Sequence, residues 1–212
     1  MNKWCFCALL VLAQAGIEYL PNKITLEWSF PSEETVEFAF NIPSEIITSW
    51  SWAGFGLRNH DSKDIKPGHL DLITVQWDPY SIDDRWGIGY DSYPKPDTAW
   101  DGGSNDVEGS YEHTEDNSRV YTIRRKLDTN DEWDFPLSKD ESYSVIWAFG
   151  QTYQGKPIGH NENNRGSEYL ILSEGYVDDD SDDTALETDL VWVQDDSIAA
   201  MDKLFSGGRI ES

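Results

Sequence analysis

The sequence predicts an all-β fold, an antiparallel immunoglobulin-like β-sandwich of about 9–11 strands. Short runs rich in β-branched and aromatic residues recur along the chain, and several of them alternate apolar with polar residues. Turn-forming residues such as Pro67-Gly68 and Asp101-Gly102-Gly103 separate these runs. The runs have no convincing helical period, and short strands divided by regular turn signals are typical of a sandwich.

Each strand is predicted from a run whose side chains fit a pleated, half-buried surface. Turn formers at Pro31-Ser32, Asn59-His60-Asp61, Asp83-Asp84 and Asn130-Asp131 divide several of these runs. The one helix candidate is the short segment 197–205. In chain order the predicted strands are residues 24–30, 35–42, 49–57, 70–77, 85–93, 119–127, 143–151, 168–173 and 189–195.

The first fifteen residues have the pattern of a secretory signal peptide. Lys3 supplies a basic start, residues 4–12 are mostly apolar, and Ala13-Gln14-Ala15 has the small residues of a cleavage site. Both cysteines, Cys5 and Cys7, lie in this segment. We therefore expect a secreted protein whose mature chain contains no thiol and no disulfide.

The rest of the chain is predicted to form one domain over residues 16–196, followed by a C-terminal tail over 197–212. The chain has 16 Lys and Arg against 40 Asp and Glu, a formal net charge of −24. Such a surface repels phosphate groups, which argues against nucleic acid and anionic membranes as partners. After the signal peptide, no segment approaches the roughly 20 apolar residues that cross a bilayer, so membrane insertion is not expected.

Five motifs follow one another in an order that resembles a known family. Trp52-Ala53-Gly54-Phe55-Gly56 resembles a W-x-G-F-G strand end, residues 70–77 an aspartate-led strand, and residues 90–97 a tyrosine and P-x-x-D region. Residues 125–134 resemble R-x-L-x-T-x-D-x-x-D, and residues 146–150 resemble an I-W-A-x-G strand before a histidine. Together they resemble the DOMON domain, an extracellular β-sandwich of dopamine β-monooxygenase relatives and haem-binding secreted cytochromes.

The resemblance implies a haem b site used for electron transfer. His160 occupies the place where haem-binding members carry one axial ligand, and a neutral imidazole binds haem iron well. Those relatives commonly add a methionine just before the aspartate-led strand, but the mature chain has only Met201, far from that place. His69 lies two residues before Asp71, so a bis-histidine site of His69 and His160 is the candidate; the competing interpretation of His69 is a polar residue after the Pro67-Gly68 turn.

A carbohydrate- or protein-recognition module without a cofactor, in an extracellular assembly, is the alternative. Sugar-binding sandwiches stack pyranose faces on exposed aromatic rings, and Trp86, Tyr90 and Trp100 lie near predicted turns. Most tryptophans of a sandwich are core residues, which is the competing interpretation of each ring. The expected partners are therefore a haem or sugar ligand and an extracellular protein or redox partner.

Calcium is a further candidate ligand. Asp178, Asp180 and Asp182 are spaced like the start of a calcium loop, but position six is Asp183 instead of glycine. A solvated acidic connection is the competing interpretation of this segment.

Two other aspartates and an arginine are predicted to have structural roles. Asp131 and Asp134 lie in a predicted turn, where aspartates commonly bond their own backbone amides; a metal site or an acid/base pair is the competing interpretation of their spacing. Arg125 is expected to pair with one of these two carboxylates near the end of the sheet.

No catalytic constellation stands out in the sequence. There is no G-x-S-x-G elbow, no H-E-x-x-H zinc helix and no P-loop, and the mature chain would lack a thiol nucleophile. The sequence therefore predicts a noncatalytic binding or electron-transfer module.

Overall fold

A computed structural model describes residues 15–59, 69–88, 94–153, 156–158, 160 and 163–177. These residues form two antiparallel sheets with very little helix, which confirms the predicted all-β sandwich. The predicted strand 189–195 and the helix candidate 197–205 lie outside the described residues, as does the signal sequence up to residue 14.

Twelve strands and one short α-helix make up the described part of the chain, besides two 3-10 turns at Pro21–Lys23 and Asp97–Ala99. The helix, α1 (Ser44–Ser49), has six residues, so no helix of the described part is long enough to cross a membrane. The strands are β1 (Gly16–Leu20), β2 (Ile24–Ser32), β3 (Thr35–Ile42), β4 (Trp52–Asn59), β5 (His69–Trp77), β6 (Tyr80–Ile88), β7 (Lys95–Pro96), β8 (Glu108–His113), β9 (Arg119–Lys126), β10 (Ser142–Tyr153), β11 (Lys156–Ile158) and β12 (Arg165–Ile171).

The strand order explains why residues far apart in sequence meet in the core. The first sheet has the order β1-β2-β3-β9-β8. The second has the order β11-β10-β4-β5-β6-β7, and β12 also pairs with β10. Because β9 lies beside β3 and β10 lies beside β4, the second half of the chain is inserted into both sheets.

The first sheet shows the alternation that the sequence predicts. Every second residue of β2 and β3 is buried, from Ile24 to Phe30 and from Val36 to Ile42. Side chains along a strand point alternately to opposite faces, so these residues form one apolar face. This face packs against Phe55, Val145 and their neighbours on the inner face of the second sheet.

The second sheet is buried on both faces. All residues of β4 from Trp52 to Leu57 are buried, and so are those of β5 from Leu70 to Gln76. The inner face belongs to the main core, whereas the outer face carries a separate apolar cluster. We call this cluster the outer-face patch; it consists of Trp52, Leu70, Leu72, Ile146 and Ala148.

Two local predictions are wrong. Asp83-Asp84 and Pro31-Ser32 are not turns, because they lie within β6 and β2, and the neighbouring turns are formed by Asp78-Pro79 and Glu33-Glu34. The helix α1 was not predicted, because its six residues are too few to show a helical period. The short strands β1, β7, β8 and β11 were not predicted either.

Candidate functional site

An arginine of one sheet and an aspartate of the other meet inside the sandwich. Arg125 lies on β9 two residues after the core residue Ile123, so both face inward. Asp71 lies on the inner face of β5, two residues before Ile73. Arg125 Nη1 is 3.1 Å from Asp71 Oδ2, and the two side chains are 3% and 4% exposed. The backbone N–H of Phe135 also donates to Asp71 Oδ2, at 2.8 Å.

Three further buried aspartates surround this pair. Asp84 lies on β6 opposite Ile73, and Asp97 begins the second 3-10 turn. Asp134 Oδ2 is 3.6 Å from Arg125 Nη2. One carboxylate oxygen each from Asp71, Asp84 and Asp134 lie within 4.8 Å of one another. We call Asp71, Asp84, Asp97 and Asp134 the intersheet carboxylate cluster.

Several oxygens of the cluster have no hydrogen-bond donor. Asp84 Oδ2 accepts a bond from the backbone N–H of Asp106 at 3.2 Å, but its buried Oδ1 has no partner. Both side-chain oxygens of Asp97 and of Asp134 are buried and lack a hydrogen-bond donor. Burying an ionised carboxylate without compensation costs several kcal/mol, so an ion or a proton is expected to offset this charge.

Burial and mutual repulsion act on the protonation of these groups. Burial, followed by the charges of Asp71 and Asp134, raises the pKa of Asp84 well above its ordinary value. Burial is the main cause that raises the pKa of Asp97 to about 9, and the charge of Asp84 is the second. Burial also raises the pKa of Asp134, against the opposing charge of Arg125.

The same carboxylates keep Arg125 in its charged form. Burial alone would lower the pKa of Arg125, but the charges of Asp71, Asp134 and Asp84 raise it above its ordinary value. The guanidinium therefore stays charged, and the protons of the cluster reside on the carboxyl groups.

A second group of carboxylates connects the cluster to the protein surface. One oxygen each from Asp106, Asp131 and Asp134 lie within 4.8 Å of one another, and the first two side chains are half-buried. Ser104 bridges them: its hydroxyl donates to Asp106 at 2.6 Å and its backbone N–H to Asp131 at 2.7 Å. Asp134 thus belongs to both the buried and the peripheral group.

The predictions for these residues are confirmed in part. Arg125 does pair with Asp134, as expected. Asp131 does bond the turn backbone, since its Oδ1 accepts from the N–H of Trp133 at 2.9 Å. Asp134 also lies in this turn, since its N–H donates to the Asp131 carbonyl at 3.3 Å, but its carboxylate is buried beside Arg125 instead of bonding the turn backbone.

Asp84 and Asp97 were not predicted as site residues. The usable signal was Asp71, an aspartate within an apolar strand, because a buried carboxylate needs a partner from elsewhere in the fold.

The two predicted haem ligands are not brought together. Ile73 pairs with Phe55, which in turn pairs with Trp147, and His69 lies four residues before Ile73. His160 lies at the opposite end, because it follows β11, where Ile158 pairs with Gln151. The two histidines are about six residues apart along the strand direction, and at a rise of about 3.3 Å per residue this is about 20 Å. One iron atom therefore cannot be ligated by both in this arrangement.

His160 is a buried residue at the edge of the second sheet. Its side chain is 7% exposed, and the loop that carries it is held against β10 by Asn164. The Asn164 amide donates to the carbonyl of Phe149 at 2.6 Å, and the N–H of Phe149 donates to the Asn164 carbonyl at 3.0 Å. His69 is half-buried and packs edge-on against Trp86 at the other end of the sheet.

The outer-face patch occupies the same sheet as His160. Trp52 of β4 pairs with Gln76 of β5 and with Gly150 of β10. Ala148 of β10 pairs with Arg165 of β12. Directly paired residues lie on the same face, so Gln76 and Arg165 border the patch with polar groups. The buried Gln76 Oε1 has no hydrogen-bond donor.

The aromatic candidates differ in their exposure. Trp86 is 4% exposed and packs against Phe135 with ring centroids 4.9 Å apart, so its ring lies in the core. Trp100 is half-buried and stacks on Trp133, with centroids 5.1 Å apart. Tyr90 and the candidate calcium loop of Asp178, Asp180 and Asp182 lie outside the described residues.

Comparison with known proteins identifies the family. A family model described as the DOMON domain matches residues 20–150, a range that contains Asp71, Asp84, Asp97 and Asp134 and ends before His160. No match is found among curated proteins. The match supports a module that binds a ligand, with haem as one possibility within the family. Because it covers more than half of the chain, the protein belongs to the DOMON domain family.

Proposed function

We propose that the protein is a secreted, noncatalytic ligand-binding module that holds haem b through His160. The observation that carries this proposal is a buried imidazole at the edge of the sheet that also bears the outer-face patch. A porphyrin needs an apolar surface for its rings, and neutral histidine is a common ligand of its iron. Bound haem would supply reversible one-electron chemistry.

The chain's own residues fit such a ligand in part. Trp52, Ile146 and Ala148 are apolar but only 1%, 1% and 3% exposed, so this face is already covered, whereas the guanidinium of Arg165 has the charge that a haem propionate requires. His69 does not fit as the second ligand, because it lies at the opposite end of the sheet. We therefore propose His160 as the one histidine that binds the iron.

A haem titration monitored by absorption spectroscopy tests this proposal. Wild-type protein should develop a Soret band whose visible bands change on reduction. His160→Ala should abolish or reshape that band, whereas the matched variant His69→Ala should leave it unchanged. Wild-type protein that stays colourless rejects haem binding, and an unaltered spectrum of His160→Ala rejects the ligand assignment.

Carbohydrate recognition is the second candidate, and the Trp100–Trp133 stack favours it. The planes of the two rings are inclined to each other by 26°, and Lys95 Nζ lies 4.9 Å from the centre of the Trp100 ring. A half-exposed indole beside a cation could stack on a sugar and bond its hydroxyl groups.

Glycan-array binding tests the sugar candidate. We expect the wild-type protein to bind a glycan and Trp100→Ala to abolish that binding. Trp50→Ala, which changes the tryptophan directly after α1, should leave binding intact. An array without signal for the wild-type protein would remove sugar recognition.

A further inference from the structure

The intersheet carboxylate cluster lacks the positive charge that its aspartates require. Among the described residues, the only ion pairs to its members come from Arg125. The donors of that arginine are already engaged: Nε bonds the Lys126 carbonyl and Nη2 the Phe135 carbonyl, each at 3.2 Å. The nearby Arg85 does not help, because it pairs with Asp83 on the other face of β6.

Asp97 provides an observation independent of the spacing within the cluster. It lies on a 3-10 turn after β7, outside the group of three closely spaced carboxylates. Its side chain is 0% exposed, and neither carboxylate oxygen has a hydrogen-bond donor. Among the charges that raise its pKa, that of Asp84 acts most strongly, so Asp97 lies beside the cluster. A wholly buried carboxylate with two unpartnered oxygens needs a proton or a cation to offset its charge.

The peripheral carboxylates provide a route by which an ion could enter. Asp106 and Asp131 are half-buried, and both come within 4.8 Å of Asp134, the residue shared with the buried group. Ser104 donates hydrogen bonds to both carboxylates, so their arrangement along this route is fixed. A credible metal site needs such a path as well as ligands.

We propose that the intersheet carboxylate cluster binds a divalent cation, calcium, through Asp84 and Asp134, whose oxygens lie within 4.8 Å of each other, with the buried Asp97 beside them. Carboxylate oxygens are hard donors, which select calcium or magnesium over softer metals. Calcium tolerates irregular coordination better than magnesium does, and a secreted protein would meet it at high concentration. Asp71 remains the partner of Arg125. This site does not depend on haem binding, and it differs from the candidate loop at Asp178, Asp180 and Asp182.

Calorimetric titration of CaCl₂ into the full chain, after dialysis against EDTA, tests the site. Wild-type protein should bind calcium and unfold at a higher temperature in its presence. Asp84→Asn and Asp97→Asn should each weaken binding at least tenfold. The matched control replaces Asp178, Asp180 and Asp182 by asparagine together, and should keep the wild-type affinity of the buried site.

A measurement in EDTA separates a ligand role from a structural one. Asparagine is nearly isosteric with aspartate but uncharged, so Asp84→Asn should unfold in EDTA at the same temperature as the wild type or higher. A lower temperature would indicate a purely structural carboxylate and overturn the proposal. Wild-type protein that binds no calcium would overturn it too, as would binding that survives both single variants and is lost in the triple variant.

Discussion

Arg125 of the first sheet and Asp71 of the second form an ion pair within the core, with Nη1 3.1 Å from Oδ2. The pair joins β9 to β5, two strands that share no backbone hydrogen bonds. It is therefore a fixed connection between the two sheets. It also sets the local electrostatics, because one guanidinium faces several carboxylates.

Replacing Arg125 by methionine should strongly destabilise the fold. Removing one partner of a buried ion pair leaves an uncompensated charge and costs about 3–5 kcal/mol. Arg124→Met is the matched control, because Arg124 is the next residue of β9 and pairs with Glu37 at the exposed face. That surface pair should contribute about 0–1 kcal/mol. Urea unfolding of both variants measures the difference, and equal losses would contradict a special role of Arg125.

The calcium-free protein should become less stable as the pH rises. Burial and nearby carboxylates raise the pKa of Asp97 from 3.8 to about 9. Between these values the folded protein retains a proton that the unfolded chain has lost, so the free energy of unfolding falls with increasing pH. This contribution is fully present below about pH 4 and is lost as the pH rises through about 9.

Thermal unfolding in calcium-free buffers from pH 5 to pH 8.5 checks that trend. The unfolding temperature should decrease across this range in the wild type. The double variant Asp84→Asn, Asp97→Asn serves as the control, and its unfolding temperature should change much less. Wild-type protein that becomes more stable toward pH 8.5 would contradict a raised pKa of these buried carboxyl groups.

Gly56→Ala should destabilise the contact between β4 and β5. A Cβ atom at this position would lie 2.3 Å from the backbone oxygen of Asp71 and 2.7 Å from Leu72 Cδ2. A backbone oxygen in a paired strand cannot move away cheaply, and overpacking of this kind costs about 1–3 kcal/mol. Chemical unfolding measures the loss, and a variant as stable as the wild type would show that β5 does not approach β4 this closely.

Tyr143→Phe should leave a backbone amide without its acceptor. The buried hydroxyl of Tyr143 accepts a hydrogen bond from the N–H of Ser138 at 2.8 Å. Losing this part-buried hydrogen bond should cost about 0.5–1.5 kcal/mol. Tyr169→Phe is the control, because the Tyr169 hydroxyl bonds Ser142 at the surface and should change stability by less than about 0.5 kcal/mol. Equal effects in urea unfolding would refute the assignment.

The sandwich could be predicted from the sequence because its strands carry strong local patterns. In β2 and β3 apolar residues alternate with polar ones, and this period identifies both the strand and its buried face. In β8 all six residues are exposed, so no such pattern marks this edge strand. The helix α1 was missed because its six residues are too short for a period to appear.

The candidate site was harder to predict than the fold because it depends on contacts between distant residues. Arg125 and Asp134 are close in sequence, and their pairing was expected. Asp84 and Asp97 resemble ordinary turn residues in the sequence, and only the pairing of β5, β6 and β7 brings them near Asp71. The separation of His69 from His160 likewise follows from strand register, which no local motif contains.

The most direct test of the unbalanced charge in the intersheet carboxylate cluster is a crystal structure of the calcium-soaked protein with long-wavelength anomalous data. We expect an anomalous peak about 2.3–2.6 Å from carboxylate oxygens of Asp84 and Asp134, with Asp97 turned toward it. A well-ordered cluster without an anomalous peak at saturating calcium would contradict calcium binding at this site.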